Sequence, residues 1–477
     1  MNLTQVSLFF GCIVIYRLLL DQKGKIWVIL AASICGVFWL QPGLLIRNFD
    51  YWFPFLSISL ILITWLVITS KDNLKTKENI FSFLIIIAIS LLIPLSRYLP
   101  FEFKIIPTVP PQPVQVIIAV FILFIWLIIF YLSKIKVNTS LVCFILILIL
   151  LLFIILKNPL LNSKISIFLK MVSGQSTNTI MAQGGDLRWL GFSYIAFRLI
   201  HTLRDFQNKR YQSTNLCTYF SYVLFFPALI AGPIDRIEHF EKEIRKRSEK
   251  SQDFIVGGKR LIIGLIRKFV IADALVLIAI NSNNAILVKS PIWLWVMLVA
   301  YAWMIYFDFS GYTDIALGLS SCIGIVLPEN FDRPYSAKNL ALFWNKWHMS
   351  LTQWFRSYFF NPITRFLRTR KKPLPPTIIV AITQILTMTL IGLWHGVSWN
   401  YLYWGLWHGL GLFIQNRWAN YMQKYQGLLN LSNPIQRLLS TISVIFTFVF
   451  ISLGWIWFVT PDPQISFLIF KKLFGFD

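Results

Sequence analysis

Residues 141–156 read LVCFILILILLLFIIL, sixteen consecutive positions without a charged side chain. A membrane-spanning α-helix needs about 20 mostly apolar residues to cross the hydrocarbon core of a bilayer. Together with their flanking residues, these positions therefore predict a helix that crosses a membrane near residues 139–156. The composition of the whole chain leads to the same conclusion.

The chain has 477 residues, of which 57% are hydrophobic and 13% are charged. Soluble domains average about 25% charged residues. Phenylalanine and tryptophan are both abundant, at 42 and 19 residues. A soluble protein could not bury this much apolar side chain without exposing large hydrophobic patches. The composition therefore predicts a polytopic membrane protein.

Further apolar runs predict an all-α fold with roughly 11 transmembrane helices. We also expect re-entrant or amphipathic helices around a central polar funnel. The candidate spans lie near residues 3–20, 27–46, 51–70, 79–98, 112–133, 139–156, 187–203, 260–280, 291–310, 377–395, 398–415 and 437–460, with a short apolar tail at 464–475.

The formal net charge of +24 does not indicate nucleic-acid binding, because the basic residues form short clusters between apolar runs. The positive-inside rule places such clusters in the cytoplasm. Two candidate spans separate each early cluster from the next, so all three can face the cytoplasm, which puts the N-terminus outside. These clusters are Lys23 with Lys25, Lys71 with Lys75 and Lys77, and Lys134 with Lys136.

Three segments interrupt the alternation of apolar spans and basic clusters. Residues 157–186 are weakly apolar, and we expect a long external loop that acts either as a partial lid or as a connector. Residues 227–236 carry two prolines and a glycine, which favours either a broken, re-entrant segment or a plain helix that ends at Gly232. Residues 328–362 are too polar for a simple span and predict an amphipathic segment that lines a cavity or the membrane boundary.

Three of the five histidines, His348, His395 and His408, fall within residues 306–411. An imidazole at membrane depth is costly to solvate and usually faces a polar cavity. It is also the side chain whose ordinary pKa suits proton transfer near neutral pH. The alternative is that these histidines only form polar contacts between helices. The five cysteines lie singly and predict neither a disulfide framework nor a metal site.

Several motifs in this region occur in a characteristic order. They are YFDFSGYTDIA at 306–316, PENF at 328–331, FWNKWHMSL at 343–351, GLWHG at 392–396 and YWGLWHG at 403–409. The pattern resembles the membrane-bound O-acyltransferase family, in its subgroup of bacterial alginate O-acetylases and the teichoic-acid D-alanyl transferase. FFP at 225–227 and GPIDR at 232–236 are similar to the same subgroup.

The resemblance implies three regions along the chain. Residues 1–184 would form N-terminal hydrophobic helices, 185–415 the catalytic core and 416–477 the C-terminal helices. By correspondence with the family's motifs, His395 is the catalytic histidine and His348 is the second functional position. The expected substrate-binding residues are Asp308, Tyr312, Trp344, Asn345 and Arg356.

This sequence departs from the family pattern after Arg356. An acidic residue followed by tyrosine is usual there, whereas this chain has Ser357 and Tyr358. The glycine-rich turn that often follows is replaced by residues 364–372. The departures leave the family resemblance intact but weaken the transfer of substrate identity.

The expected chemistry agrees with these residues. An acyl thioester is already activated, so an enzyme must orient a hydroxyl, remove its proton and stabilise the oxyanion. A neutral imidazole can remove the proton and contribute about 10²–10⁴-fold to the rate. Because the sequence has no serine or cysteine in a nucleophile-elbow motif, it favours direct attack by the acceptor over a covalent acyl-enzyme.

The resemblance therefore implies an O-acyltransferase that moves an acyl group, expected to be acetyl, from a thioester donor to a hydroxyl of an exported or membrane-associated glycan. The expected donor is acetyl-CoA or an acyl carrier with phosphopantetheine, used as substrate, with no permanently bound cofactor.

D-alanyl transfer from a carrier protein remains an alternative, as does a membrane transporter. The implied location is the bacterial plasma membrane. The implied partners are the lipid bilayer, an acyl carrier protein and a periplasmic or extracellular acyltransferase- or esterase-like protein.

The positions of the basic clusters predict that residues 235–260 face the cytoplasm and that 157–186 face outside. A single cysteine placed in 235–260, in a background without the native cysteines, should react with a membrane-impermeant maleimide only after the cells are opened. Labelling of that cysteine in intact cells would contradict the topology.

Overall fold

The computed structural model describes residues 3–19, 24–100, 105–132, 139–175, 187–211, 214–246, 251–423, 432–460 and 462–476. Regular secondary structure in these ranges is helical, apart from a single antiparallel β-bridge between Phe331 and Trp347. The all-α fold class is therefore confirmed.

The α-helices are numbered in chain order. They are α1 (Leu3–Leu19), α2 (Lys25–Trp39), α3 (Phe49–Ile68), α4 (Lys71–Leu74), α5 (Lys77–Leu95), α6 (Pro113–Leu132), α7 (Thr139–Lys157), α8 (Pro159–Val172), α9 (Phe192–Gln207), α10 (Leu216–Val223), α11 (Ile237–Lys246), α12 (Ser251–Ile266), α13 (Asp273–Val276), α14 (Ser282–Leu287), α15 (Pro291–Ile323), α16 (Leu340–Lys346), α17 (Met349–Phe355), α18 (Asn361–Arg368), α19 (Pro376–His395), α20 (Trp399–Gln423), α21 (Asn433–Val459) and α22 (Pro463–Leu473).

Seven helices in the described ranges are long and apolar enough to cross a membrane: α3, α5, α6, α7, α15, α19 and α21. The expected number of roughly 11 is not confirmed by these criteria. The span expected near 27–46 is a helix of only 15 residues that ends at Trp39, close before Pro42 and Gly43. The span expected near 187–203 is a helix of 16 residues, α9, that contains the buried Arg198.

The chain divides into two compact units. One comprises residues 1–259 with 316–327, and the other comprises 260–315 with 328–477. All of the residues expected to act on a substrate belong to the second unit. The division of the chain into three regions stays a prediction, with N-terminal helices at 1–184, a catalytic core at 185–415 and C-terminal helices at 416–477.

The external loop expected at 157–186 is only partly a loop, because residues 159–172 form α8. Asn158 caps this helix: its side-chain oxygen accepts a hydrogen bond from the Leu161 N–H at 3.0 Å. Pro159 follows at the first helical position, where its fixed φ favours helix initiation. Residues 176–186, and the basic pair Lys134 and Lys136, lie outside the described ranges.

The chain is broken between α10 and α11, so the alternative of a plain helix to Gly232 is wrong. Helix α10 ends at Val223, and a single 3₁₀ turn follows at Phe226–Ala228. The fully buried Arg198 on α9 donates hydrogen bonds to the carbonyls of Tyr222, Val223 and Ala228 at 3.2, 2.8 and 3.1 Å. Its guanidinium thereby satisfies carbonyl groups that the end of a helix leaves unpaired.

The helix expected at 291–310 is longer than the sequence predicts. Helix α15 has 33 residues, a length of about 50 Å at 1.5 Å per residue, and carries the whole 306–316 motif in its interior. Helix α12, which lies earlier in the chain, continues into a π-helical segment at Arg267–Ala272. It approaches α15 closely at Gly264 and Gly311, where an added Cβ on Gly264 would lie 2.8 Å from the Gly311 carbonyl oxygen.

Helices α19 and α20 form a tightly packed hairpin. An added Cβ on Gly392 would lie 2.2 Å from the Tyr401 carbonyl oxygen, and one on Gly405 would lie 2.5 Å from the Thr389 Cα. The glycine pairs of the two motifs therefore permit close approach of the helices, as expected for small residues at a membrane helix interface. This contact fixes the end of α19, where His395 stands.

We predict that Gly405→Ala lowers the melting temperature of the detergent-purified protein, because the new methyl group must displace the α19 backbone. Overpacking of this kind costs about 1–3 kcal/mol. The matched control is Gly258→Ala on α12, where an added Cβ meets nothing within 4 Å. Alanine at that helical position should leave the melting temperature unchanged or raise it. Equal melting of both variants would contradict the close packing of the hairpin.

Candidate functional site

Residues 328–362 form several short helices rather than one span. Helix α16 ends at Lys346, the chain turns at Trp347 and His348, α17 runs over Met349–Phe355, and a π-helical segment follows at Arg356–Phe360. The absence of a continuous span in this segment agrees with the sequence prediction. π-helical segments frequently occur at functional sites.

Asn330 holds the turn at His348 in place. Its carbonyl oxygen accepts the Met349 N–H at 3.0 Å. Its side-chain Oδ1 accepts the Ser350 N–H at 3.1 Å and the Ser350 hydroxyl at 2.7 Å. Asn330 is completely buried, so these hydrogen bonds are shielded from water. The asparagine thus fixes the two residues that follow His348.

His348 has a left-handed backbone conformation with φ 44° and is 2% exposed. A residue other than glycine in this conformation is strained and persists only when the surrounding structure enforces it, often at a functional site. The ring centroid of His348 lies 4.7 Å from Phe309 and 6.2 Å from Trp394. Burial in this apolar surrounding lowers the pKa of His348 to about 3, so the imidazole is neutral at physiological pH.

His395 is the last residue of α19 and is half-buried. Its ring lies among four aromatic rings: those of Trp394, Tyr401, Trp404 and Phe458 at centroid distances of 4.5, 6.0, 5.5 and 4.9 Å. Trp394 contacts both His395 and His348. The structure therefore brings the two predicted catalytic histidines to the same tryptophan.

His408 is completely buried on α20. Its ring centroid lies 4.7 Å from Trp404 and 5.2 Å from Trp344. An added Cβ on Gly454 would lie 2.7 Å from its Nε2, which shows how closely the neighbouring helix approaches. Trp404 thus stands between His395 and His408, and His408 is enclosed more completely than His395.

The five expected substrate-binding residues are not brought together. Asp308 forms an ion pair with Lys268 on the π-helical segment, while Tyr312 is 6% exposed within α15. Trp344 packs against His408. Asn345 and Arg356 are exposed and bind each other, with the Arg356 Nη2 donating to the Asn345 Oδ1 at 2.6 Å. Their roles stay predictions.

A group of charged residues beside this region was not singled out from the sequence. Arg260 donates to Asp314 at 3.0 Å and forms a bidentate pair with Glu329, and Arg267 also pairs with Asp314. Arg260 and Arg267 are seven residues apart on one helix face, a spacing that could have identified them. No cluster of three or more potential metal-binding side chains occurs in the described part of the chain.

Comparison with known proteins identifies the family. Residues 98–454 match the model of the membrane-bound O-acyltransferase family. The chain belongs to this family. The match includes the motifs that carry His348 and His395, and the seven helices that are long and apolar enough to cross a membrane agree with a polytopic membrane protein.

Individual relatives are similar over part of their length. The chain is 34% identical to a teichoic acid D-alanyltransferase of Bacillus subtilis over 56% of this chain and 68% of the relative. It is 30% identical to a probable alginate O-acetylase of Pseudomonas aeruginosa over 60% of this chain and 52% of the relative. A peptidoglycan O-acetyltransferase of Helicobacter pylori is 31% identical over 54% and 47%. The matched region thus spans about half the length of both O-acetylating relatives.

We predict that Asn330→Ala lowers kcat for acyl transfer about 10- to 100-fold, because misplacement of a reacting group by about 1 Å can cost 10²-fold. The KM for the acyl donor should change little, since Asn330 acts through His348. Acyl transfer by the purified variant, with its melting temperature, measures both effects.

The control is Asn339→Ala in the same segment. The Asn339 side chain caps α16 by accepting the Leu342 N–H at 2.9 Å, so its loss should cost about 1 kcal/mol of stability without a comparable loss of kcat. If the two variants lose kcat equally, Asn330 does not position His348.

Proposed function

We propose that this protein transfers an acyl group, acetyl in the leading case, from a thioester donor to a hydroxyl of a cell-envelope glycan. The observation that carries the proposal is the placement of His348 and His395 on one tryptophan, within a chain of the membrane-bound O-acyltransferase family. Membership of this family favours acyl transfer over the transporter alternative.

His395 acts as the general base in this proposal. It is half-buried at the end of a helix, so an acceptor hydroxyl can reach its ring, whereas the enclosed His408 is less accessible. The hydroxyl oxygen attacks the thioester carbonyl, His395 takes the hydroxyl proton, and the C–S bond breaks to release the thiolate. The proton then passes from His395 to the thiolate, which forms the free thiol and regenerates the neutral histidine.

His348, whose ring also lies beside Trp394, assists the reaction. A neutral imidazole carries one N–H donor and one acceptor nitrogen. Both ring nitrogens of His348 are buried and have no hydrogen-bond partner among the described residues. The N–H can therefore donate to the thioester carbonyl oxygen and stabilise the negative charge that develops on it. Because the imidazole stays neutral, it does not compete with His395 for the proton.

The aromatic rings around His395 limit the access of water to its ring. Phe458, Trp404 and Tyr401 form apolar walls against the imidazole. Exclusion of water strengthens the electrostatic interactions of the site and reduces hydrolysis of the thioester. The donor is a coenzyme A thioester or an acylated phosphopantetheine on a carrier protein.

D-alanyl transfer is the second candidate function. It is favoured by the match to the D-alanyltransferase of Bacillus subtilis, which covers 68% of that relative, more than the match to either O-acetylating relative mentioned above. The same two histidines would serve this reaction, because only the acyl group and its carrier differ. A carrier protein would then be a required partner. A comparison of acetyl-CoA with a D-alanyl carrier protein as donors for the purified enzyme distinguishes the two functions.

We predict that His395→Ala lowers kcat about 10²–10⁴-fold, the usual contribution of a general base, while donor binding persists. His348→Ala should lower kcat less. Since the pKa of His348 is about 3, its removal should not shift the pH dependence of activity between about pH 5 and 9. Acyl transfer by purified variants with unchanged melting temperatures tests both expectations.

His408→Ala is the control for loss of an imidazole. We expect a packing role for His408, because it fills a completely buried position between Trp344 and Trp404, and therefore a small loss of activity. Near-normal activity in His395→Ala would refute the assignment. If His408→Ala were inactive while His395→Ala stayed active, the general base would be His408 on α20.

A further inference from the structure

Two adjoining cavities lie in the second unit. Neither is lined by His395 or by the aromatic rings around it. The first has a volume of about 210 Å³ and a charged lining that includes Arg260, Arg267 and Asp314. The second has a volume of about 500 Å³ and an apolar lining. Tyr306 and Arg333 line both cavities. A ligand that occupies both would need a polar end and an apolar end.

The lining of the polar cavity holds three arginines and three acidic residues, so the charge available to a ligand depends on how these residues are paired. Arg260 and Arg267 are paired with Asp314 and Glu329, as described above, and these four charges cancel. The remaining acid, Asp332, pairs with Lys346 at 3.2 Å. Arg333 forms no ion pair within the described ranges. Its guanidinium is therefore available to an anion, and the fork geometry of arginine suits bidentate binding of phosphate.

Two hydroxyl groups on α15 complete the polar cavity. Ser310 and Thr313 line it, and each residue is 2% exposed. Neither hydroxyl oxygen has a hydrogen-bond partner among the described residues. Buried polar groups are usually hydrogen-bonded, and a buried donor without a partner costs about 1–3 kcal/mol. A phosphate group supplies acceptor oxygens for both hydroxyls.

The backbone holds Arg333 at the junction of the cavities. Its φ is 44°, a left-handed conformation that is strained for arginine. The Arg333 carbonyl oxygen accepts the Ser336 hydroxyl at 2.7 Å and the Ser336 N–H at 3.1 Å. Pro334 then begins a 3₁₀ turn. These constraints place the arginine side chain where both cavities meet.

The apolar cavity lies between two membrane-spanning helices. Its walls include Trp303 on α15 and Val444, Ile445 and Phe448 on α21, with Tyr335 from the 3₁₀ turn. Ile445 is 58% exposed on α21, so this part of the groove is open at the protein surface. On a membrane-spanning helix that surface faces hydrocarbon chains. A volume of this size is within the range of ligand pockets, about 300–1,000 Å³.

We propose that these cavities bind one anionic phospholipid of the membrane. The phosphate lies against Arg333 and the hydroxyls of Ser310 and Thr313, and an acyl chain lies in the groove between α15 and α21. Basic pockets between membrane helices bind lipid head groups in this way. A soluble phosphate compound would leave the apolar groove unused, which is why the lipid is the occupant.

The test uses the full chain, purified in detergent, and measures lipid binding by native mass spectrometry. The probes are dioleoyl phosphatidylglycerol, dioleoyl phosphatidylcholine with the same acyl chains, and glycerol 3-phosphate as a soluble phosphate. We expect the phosphatidylglycerol to bind about tenfold more tightly than the phosphatidylcholine, the usual scale of one charge-assisted contact. Arg333→Gln should remove this preference, and Arg333→Lys should retain part of it.

Arg437→Gln is the matched control, because Arg437 is an exposed arginine on α21, the helix that forms one wall of the groove, and does not line either cavity. It should keep the preference for phosphatidylglycerol. Val444→Trp should weaken binding of both lipids by filling the groove. If Arg333→Gln does not fold, the Ser310→Ala, Thr313→Val double variant takes its place, and a reduced preference supports the site.

Three results would overturn the proposal. Equal binding of the two lipids by the unmodified protein excludes a site selective for an anionic head group. A preference that survives in Arg333→Gln, or that is lost equally in Arg437→Gln, excludes Arg333 as the specific contact. Displacement of the lipid by an equimolar amount of glycerol 3-phosphate would assign the cavity to a soluble anion instead.

Discussion

Where a helix of a membrane protein is interrupted in a buried region, its backbone groups must find hydrogen-bond partners within the protein, because the hydrocarbon offers none. Two buried polar side chains meet this requirement here. Arg198 binds three carbonyl groups after the end of α10. Asn330 accepts hydrogen bonds from the two residues that follow His348, through its backbone carbonyl and its side-chain amide oxygen. Removal of either would leave buried polar groups unpaired, at about 1–3 kcal/mol for each.

The break between α16 and α17, which Asn330 holds in place, creates the local geometry of the site. It lets the chain turn so that His348 lies against Phe309 and Trp394 rather than along a helix. The close packing of α19 and α20 at their glycines fixes the other half of the site, because it determines where α19 ends with His395. A strained backbone at one histidine and a helix end at the other thus bring two imidazoles to one aromatic ring.

The sequence predicted the features that depend on composition and motif. The all-α membrane fold and the break in 328–362 follow from hydropathy and from the positions of the charged and polar residues. The motifs singled out His348 and His395, whose catalytic roles stay proposals, although periodicity alone could not separate them from His408.

The features that the sequence did not predict depend mainly on contacts between residues that are far apart in the sequence. Asn330 stands 20 residues before its partner Ser350, and no local pattern shows that its amide fastens the turn. The residues Asn345 and Arg356 bind each other across 11 positions, a pairing the motif did not reveal. Helix α8 was overlooked because its charged and amide residues lowered the apolar signal, although Asn158 and Pro159 mark a helix start.

The most direct test of this account is a structure of the full chain, determined by cryo-electron microscopy, with a non-hydrolysable thioether analogue of the acyl donor. The account predicts that the carbonyl oxygen of the analogue lies beside Trp394, within hydrogen-bond distance of His348. It also predicts that the ring of His395 faces the carbonyl carbon from the acceptor side. An analogue bound away from Trp394, with neither imidazole near its carbonyl, would contradict the assignment of both histidines.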